Sequence, residues 1–346
     1  KKLMTSSSIA EASRTPGVNA GSTGSRLIRH PWARFSLRRL SGLLLSFAVL
    51  TVVTFLIVPL IPGDPALIAA GDGASPAQIA NVRTELGLDL PLLTQFVNYV
   101  SGVLRLDLGT SFVSGESVST LIFTRFPFTA EIALLAIALV LLVSVPLGMA
   151  VAIITRGGRN RWLDTGFNFL TSLIYSIPQY VVATLLVVMF AVTLRWLPAA
   201  GAATLNSLVL PTAALMLGPI CVISRIVRRE TAVVLDKDYI RTARGWRLGA
   251  LRTHARYVLP NLLTTTLTLS GLILAAQLGG AVVIETVFAW PGLGQGIVNA
   301  ILQRDYPVIR GIILVLGLLA TLIIILVDLI LAIIDPRNLG GTSNDV

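Results

Sequence analysis

The chain has 346 residues, of which 54% are hydrophobic and 13% are charged, with a formal net charge of +10. This composition excludes an ordinary soluble globule, because too few polar side chains are present to cover its surface, and it favours a membrane protein. A single cysteine, Cys221, excludes an intrachain disulfide, and the two histidines, His30 and His254, form no zinc-binding HExxH pattern. None of the lysines stands in the Gly-Lys-Ser/Thr sequence of a phosphate-binding loop, which excludes an ATPase site of that type in this chain.

Residues 1–39 predict a disordered, basic cytoplasmic tail. Ser, Gly, Thr and Ala dominate residues 1–25 without apolar periodicity, and several arginines follow up to Arg39. The apolar run at 40–61 is about 20 residues long, whereas the apolar core of a signal peptide has about 7 to 15, so the run predicts a retained transmembrane helix. Its basic N-terminal flank predicts a cytoplasmic N-terminus.

Residues 62–128 predict an extracytoplasmic segment, which is mildly acidic. Its first residues, PGDPA (62–66), have the chemistry of a turn, because Pro fixes φ, Gly frees it and Asp bonds nearby backbone. The stretch 75–86 combines an N-cap serine, a proline at the first helical position and spaced apolar residues, which predicts a short amphipathic helix. A second short helix is predicted at 92–104.

Five more apolar runs predict transmembrane helices, at about 129–154, 166–194, 207–223, 262–284 and 308–334. With the first run they make six spans, so both termini lie on one side of the membrane. Arg and Lys are concentrated in the segments that this topology places in the cytoplasm, and residues 336–346 become a cytoplasmic tail. Pro178, in the middle of the third span, predicts a kink that either shapes a cavity or gate or serves packing alone.

Residues 225–261 predict a cytoplasmic loop that is longer than membrane orientation requires. Apolar residues at helical spacing between 236 and 259 predict two short helices broken near Gly245, with arginines on their polar face. We interpret this element as a docking surface for another protein. Adsorption to the anionic inner leaflet, with Trp246 at the interface, is the alternative.

The most specific pattern lies in the same loop, where DYIRTAR (238–244) is followed by VLPN (258–261). It resembles the cytoplasmic signature loop of ABC importer permeases, in the form found in the dipeptide, oligopeptide and nickel branch. Further stretches resemble that branch in the family's order: PGDPA (62–66), ELGLD (85–89), DLGTS (107–111), RFP (125–127), GGAVVIETVFAWPGLG (279–294), RDYP (304–307) and LVDLILAIIDPR (326–337). The resemblance covers nearly everything from residue 40 to residue 337. One position departs from the family, since Arg247 stands where a glycine is usual and Gly245 lies two residues earlier.

The resemblance implies an all-α polytopic membrane protein with six transmembrane helices, the type I ABC importer permease fold and a cytoplasmic coupling helix. In the family this helix fits a cleft on the ATPase subunit. That role falls on the following residues: Asp238, Tyr239, Ile240, Arg241, Thr242, Ala243, Arg244, Gly245 and Trp246. The long segment 62–128 is similar to that of the first, B-type, of two unlike permeases. The implied partners are a second permease, two ATPase subunits or domains that bind ATP and Mg²⁺, and an extracytoplasmic binding protein, while this chain holds no cofactor.

The implied function is that of a subunit that forms half of a pathway for dipeptides or oligopeptides and couples ATPase closure to alternating access. Its expected location is a bacterial inner membrane, with the bilayer and no nucleic acid as a partner. Nickel chelates and glutathione stay open as substrates, because permeases of this branch share the same motifs. A self-contained secondary transporter or channel is the alternative class and requires paired ionisable residues at mid-membrane. An intramembrane enzyme ranks third, since the sequence has neither a GxSxG nor a metal motif.

Several residues outside the loop are candidates for the pathway or for structure. Glu131 and Gln277 are candidate substrate contacts within predicted spans. Glu285 and Trp290, beside a Pro-Gly turn, are assigned to the outer gate region, with anchoring of Trp290 at the membrane interface as the alternative. Asp328 is a costly charge within the last span, and we assign it a structural role with an arginine of the signature loop as its partner.

Overall fold

The computed structural model describes residues 31–60, 63–71, 73–246 and 248–334. The predictions for residues 1–30, for Arg247 and for the tail at 336–346 lie outside the described residues. The prediction that the disordered tail extends to Arg39 is wrong, because the first helix already begins at Pro31 and includes residues 31–39. Within them the chain is helical, with an isolated bridge between Thr110 and Ser117 and no strand. In chain order the helices are α1 (Pro31–Leu60), α2 (Pro65–Ala70), α3 (Pro76–Glu85), α4 (Leu92–Leu104), α5 (Val118–Ile154), α6 (Arg161–Ser176), α7 (Gln179–Leu186), α8 (Val209–Leu235), α9 (Asp238–Gly245), α10 (Ala250–Thr253), α11 (Leu259–Val287), α12 (Leu293–Gln303) and α13 (Tyr306–Ile334).

Two of the short helices between α1 and α5 begin at a side-chain cap. At the start of α2, the Asp64 carboxylate accepts a hydrogen bond of 3.0 Å from Ala66 N. At the start of α3, Gln78 N donates to Ser75 Oγ while Ser75 N donates to Gln78 Oε1, which forms a reciprocal capping box. The helices predicted at 75–86 and 92–104 are confirmed by α3 and α4.

The two central helices, α5 and α8, extend beyond the apolar runs that predicted them. α5 begins at Val118 instead of near residue 129, and α8 continues to Leu235 instead of ending near residue 223. The first part of the predicted cytoplasmic loop is therefore the end of a long helix. The two helices approach closely at Gly148, where a Cβ atom would lie 2.5 Å from the carbonyl oxygen of Ser224.

The third predicted span consists of α6 and of α7, which continues as a π-helix to Thr193, and the two parts meet at an angle of 90°. Ile177 is extended, with φ −79° and ψ 123°, because the ring of a following proline disfavours helical geometry. Pro178 then starts α7, so the predicted kink is confirmed and is a complete break. The described chain has five continuous helices long and apolar enough to cross a membrane, or six when α6 and α7 count as one broken span.

Among the described residues, three buried apolar clusters hold the helices together. The first joins α5, α7, α8 and α11 and contains Trp290. The second joins α5, α12 and α13. The third, which we call the inner cluster, joins α5, α8, α9 and α11. It consists of Val140, Ile223, Val227, Val234, Leu235, Ile240, Val258 and Leu262.

The first and last long helices, α1 and α13, are joined by polar contacts. Asp328 forms an ion pair of 2.7 Å with Arg39, and Ser46 Oγ lies 2.8 Å from Thr321 Oγ1. The expectation that Asp328 pairs with an arginine of the signature loop is therefore wrong. Arg39 belongs to the basic flank of the first span, and the packing of α1 on α13 brings it to the carboxylate.

Candidate coupling site and outer latch

Helix α9 presents two different faces. Ile240 is 0% exposed and Ala243 is 2% exposed, whereas Tyr239 is 43% exposed and Trp246 is 69% exposed. The sequence pattern predicts all four as apolar positions of the short helices in this loop. In the structure, Ile240 belongs to the inner cluster, so one face of α9 is fixed to the membrane helices while Tyr239 and Trp246 remain open.

The remaining candidate coupling residues continue the exposed face. Asp238, Arg241, Thr242 and Gly245 are exposed. Arg241 and Asp238 form an exposed ion pair of 3.4 Å within one turn, a contact of little energetic weight in water. The side chain of Arg244 lies outside the described residues. The exposed face thus includes Tyr239, Arg241 and Trp246, which belong to residue types that are enriched at protein interfaces.

An arginine that the sequence did not single out fixes the connection between α8 and α9. Arg156, directly after α5, donates from Nη2 to the carbonyl oxygen of Leu235 at 2.8 Å and pairs with Asp236 at 3.0 Å. Burial, and then the positive charge of Arg156, lower the pKa of His254 in the segment after α10. Arg156 therefore joins the end of α8, two residues before α9 begins, to the end of α5, and its charge acts on the segment before α11.

The break after α9 does not depend on the conformational freedom of Gly245. Gly245 is the last helical residue of α9, and a Cβ atom there would meet no other atom within 4 Å. Trp246 follows as a turn residue, and α10 begins at Ala250. Two short helices with a break near Gly245 are thus present, as predicted from the apolar spacing.

A buried carboxylate organises the other end of the helix bundle. Glu285 is fully buried in α11 and accepts hydrogen bonds from Thr129 Oγ1 at 2.7 Å, Gly294 N at 2.6 Å and Gln295 N at 3.1 Å. Thr129 Oγ1 in turn accepts from Leu293 N at 2.8 Å. These side chains satisfy the free N–H groups at the start of α12, so we name Glu285, Thr129 and these three N–H groups the outer latch.

The glycines of the WPGLG stretch make the outer latch possible. A Cβ atom at Gly292 would lie 2.4 Å from the Glu285 carboxylate, and one at Gly294 would lie 2.4 Å from Val282 Cα. Ala289, with φ 47°, turns the chain in the left-handed region before the latch. The glycine positions are therefore set by the close approach of the backbone to a buried acid.

Trp290 is an interior residue. Its side chain is 1% exposed, its Nε1 donates to Phe128 O at 3.0 Å, and its ring meets that of Phe128 edge to face. The alternative of Trp290 as an anchor at the membrane interface is wrong, because the indole packs inside the protein. Glu285 lies in the last turn of α11, two residues before this helix ends at Val287.

The other candidate residues lie in different places. Gln277 donates from Nε2 to Leu215 O at 2.6 Å, and its Oε1 lies with that of Gln179 around Gly280. Pro178 is exposed at the break before α7. Glu131 is exposed on α5. It is not among the described hydrogen-bond partners of Glu285. Gln277 therefore lies near the broken span, while Glu131 is separate from the outer latch.

Several residues that contact these sites were not predicted from the sequence. Thr129 donates a hydrogen bond to Glu285. It lies two positions after the RFP stretch, and this was the feature of the sequence that could have indicated it. Gln179 directly follows the proline that breaks the third span. Arg228 pairs with Asp164 at 2.5 Å and joins α8 to α6, a contact that local sequence does not indicate.

The helical architecture defines a polytopic membrane permease of the type I ABC importer fold. Its fold is similar to that of the MetNI methionine ABC transporter in an inward-facing conformation, with a TM-score of 0.53 and 18% identity, covering 62% of this chain and 96% of that chain. This likeness concerns the fold alone.

Two family models identify the chain more narrowly. Residues 144–339 match the "Binding-protein-dependent transport system inner membrane component" family, and residues 32–133 match the N-terminal model of the same membrane component. The chain belongs to this family and is a multi-pass inner membrane permease subunit of an ABC importer. The predicted family and fold are confirmed.

Similar curated proteins cover most of the chain. A putative peptide transport system permease protein of Brucella abortus (strain 2308) is 40% identical over 309 residues, covering 87% of this chain and 97% of that protein. A glutathione transport system permease protein, GsiC, of Salmonella typhi is 38% identical over 302 residues, covering 87% of this chain and 97% of that protein.

Proposed function

We propose that this chain is the first of two unlike permease subunits in a peptide importer and that α9 is its coupling helix. The observation that carries the proposal is the division of α9 into a buried face at Ile240 and Ala243 and an exposed face at Tyr239, Arg241 and Trp246. A coupling element needs both faces, because it must contact a partner and transmit the partner's movement. The proposed partners are a second permease, two ATPase subunits or domains and an extracytoplasmic binding protein.

The buried face makes α9 a transmitting element and not a mere tether. Complete burial of an isoleucine stabilises by about 1.5 to 3 kcal/mol, so α9 cannot easily move independently of the inner cluster. Since the inner cluster includes residues of α5, α8 and α11, a displacement of α9 acts on three membrane helices together. The hydrogen bond and ion pair of Arg156 add a second connection to α5, at its end.

We assign ATP and Mg²⁺ to the partner subunits. The sequence contains no Gly-Lys-Ser/Thr, so hydrolysis through a phosphate-binding loop must occur elsewhere in the complex. The basic residues between 225 and 261 support a cytoplasmic position for α9 and, with an even number of crossings, for both termini.

The proposed substrates are short peptides. The relatives in Brucella are named as putative peptide permeases, and a second group, at 38% identity, is named as glutathione permeases. Glutathione is itself a small peptide, so both names favour a peptide-like solute with free carboxylates. A self-contained transporter is not favoured, since the family works with a binding protein.

The proposal is tested in the complete importer, purified with its partners and reconstituted in proteoliposomes. Tyr239→Ala and Arg241→Glu change the exposed face of α9, and Arg159→Glu is a matched charge reversal at another exposed cytoplasmic position. We expect the two α9 variants to weaken ATPase binding by about tenfold or more and to reduce uptake of a labelled dipeptide, as substitutions at interface anchors do. Arg159→Glu should retain both.

Uptake and copurification of the ATPase are measured for each variant, and correct membrane insertion is checked as a control. Normal uptake by both α9 variants would disprove α9 as the coupling element. Uptake by the chain without any ATPase would place it among self-contained transporters instead.

A further inference from the structure

Four sequence motifs that coupling does not explain meet at the outer end of the bundle. Asp305 of the RDYP motif accepts hydrogen bonds from the hydroxyl of Ser111, in the DLGTS motif, and from Phe112 N at 3.1 Å. Gly63 of the PGDPA motif approaches RDYP so closely that a Cβ atom there would lie 3.2 Å from Tyr306 Oη. The segment between α1 and α5 is thereby fixed to the start of α13.

These motifs surround a cavity of about 470 Å³. Its volume lies within the range of roughly 300 to 1,000 Å³ that is usual for small-molecule sites. The ELGLD motif also contributes to its wall. The polar and charged side chains that line it include Glu85, Gln95, Asn98, Tyr99, Asp107 and Arg310.

Arg310 provides a cation at this cavity that forms no ion pair with the residues that the structure describes. Its guanidinium lies 5.5 Å from the centre of the Tyr99 ring. Its Nε atom is buried and has no hydrogen-bond partner among the residues that the structure describes. A buried N–H group without a partner is costly, and a carboxylate is the group that best satisfies a guanidinium.

Tyr99 holds Arg310 in place without neutralising it. The Tyr99 hydroxyl lies 2.9 Å from Thr54 Oγ1, and its ring packs against Phe55. Burial raises the pKa of Tyr99, so the phenol stays protonated and uncharged near neutral pH. The positive charge of Arg310 is thus available to a ligand.

The cavity also carries charge of the opposite sign. Glu85 and Asp107 line it and are exposed, whereas Arg310 is partly buried. Asp107 Oδ1 accepts a hydrogen bond from Gly109 N at 3.0 Å, which orients this carboxylate. A cation on the inner wall and carboxylates on the exposed wall match a molecule with one anionic and one cationic end.

We propose that this cavity binds a short peptide with free termini, with its carboxylate on Arg310 and its ammonium group toward Glu85 and Asp107. The inference rests on the proposed peptide specificity and adds a binding site on this chain itself. A peptide released on the outer side would be held here before it enters the membrane pathway.

The test uses the full chain, purified with its importer partners in lipid nanodiscs, and a radiolabelled tripeptide, alanyl-photoleucyl-alanine. Photolabelled positions are mapped by mass spectrometry, for the free acid and for its C-terminal amide. We expect the free acid to label residues within 92–112, and the amide to label them at least tenfold less. This comparison needs no substitution, so a folding defect cannot affect it.

Two variants examine the arginine directly. Arg310→Gln should reduce labelling by the free acid at least tenfold. Arg105→Gln, at an exposed arginine that does not line the cavity, should leave labelling unchanged. Equal labelling by acid and amide, or unchanged labelling of Arg310→Gln, would overturn the site. Displacement by phosphatidylglycerol as efficient as that by unlabelled peptide would assign the cavity to a lipid headgroup and overturn it as well.

Uptake of the same tripeptide into proteoliposomes separates this inference from the proposed function. Uptake without labelling of the cavity would overturn only the binding site. Absence of both uptake and labelling would overturn the peptide specificity and the site together.

Discussion

At the scale of single residues, the outer latch shows how a carboxylate can be completely buried. Glu285 is fully buried, yet its two oxygens accept three hydrogen bonds from one hydroxyl and two backbone N–H groups. The N–H groups at the start of α12 need acceptors, and the positive end of that helix favours an anion there. The carboxylate therefore stabilises the turn between α11 and α12, and its role is structural.

Removal of this carboxylate should destabilise the protein. Glu285→Ala leaves two backbone N–H groups and the Thr129 hydroxyl without their acceptor, at a cost of about 1 to 3 kcal/mol for each buried group. We expect a clear fall in the midpoint of thermal unfolding in nanodiscs. Glu131→Ala, which removes an exposed acid from α5, should leave the midpoint nearly unchanged. Equal midpoints for the two variants would contradict the latch.

At the scale of helices, the close contact of α5 and α8 determines how movement at α9 reaches the membrane. α8 is continuous from Val209 to Leu235 and is directly followed by α9, while α5 packs along it. Gly148 sits in this contact, with α8 backbone atoms where a side chain would begin. The two helices are thus expected to move as one unit.

A pair of glycine substitutions tests this contact. Gly148→Ala forces α5 and α8 apart, because its Cβ atom would lie 2.5 Å from Ser224 O, and overpacking of this kind costs about 1 to 3 kcal/mol. Gly245→Ala, whose Cβ atom would meet no atom within 4 Å, should be tolerated. Thermal unfolding in nanodiscs measures both. A midpoint for Gly148→Ala as high as that of Gly245→Ala would show that α5 and α8 can separate without cost.

At the scale of the whole molecule, the first and last long helices close the bundle. The ion pair of Arg39 with Asp328 and the contact of Ser46 with Thr321 both join α1 to α13. A charge left alone in a span is costly, so each partner makes the other tolerable. These two contacts hold the first and the last long helix of the transmembrane domain together.

A double-mutant cycle should reveal this pairing. Arg39→Gln and Asp328→Asn each leave one charge unpaired, whereas the double variant leaves none. We expect the double variant to be at least as stable as the less stable of the two single variants. The expected coupling free energy is about 1 kcal/mol. Strictly additive effects on thermal unfolding would mean that the two residues act independently.

Sequence patterns predicted local features well and long-range partners poorly. The Ser75 cap and the proline after it mark the start of α3, and the apolar spacing around Ile240 marks α9, because both depend on neighbouring residues. The partner of Glu285 lies 156 positions away at Thr129, and such a pairing depends on helix packing. Trp290 was placed at the membrane interface as an alternative because aromatic residues are common there, but packing placed it in the interior.

The break at Pro178 limits what can surround the third span. Lipid tails offer no hydrogen bonds to the backbone groups that a broken helix leaves free, so such a break is tolerated only against protein or water. The 90° turn between α6 and α7 meets this condition beside the side-chain amides of Gln179 and Gln277, which converge around Gly280. We therefore expect this side of the break, with one proline and two glutamines, to face protein or a water-filled cavity instead of lipid tails.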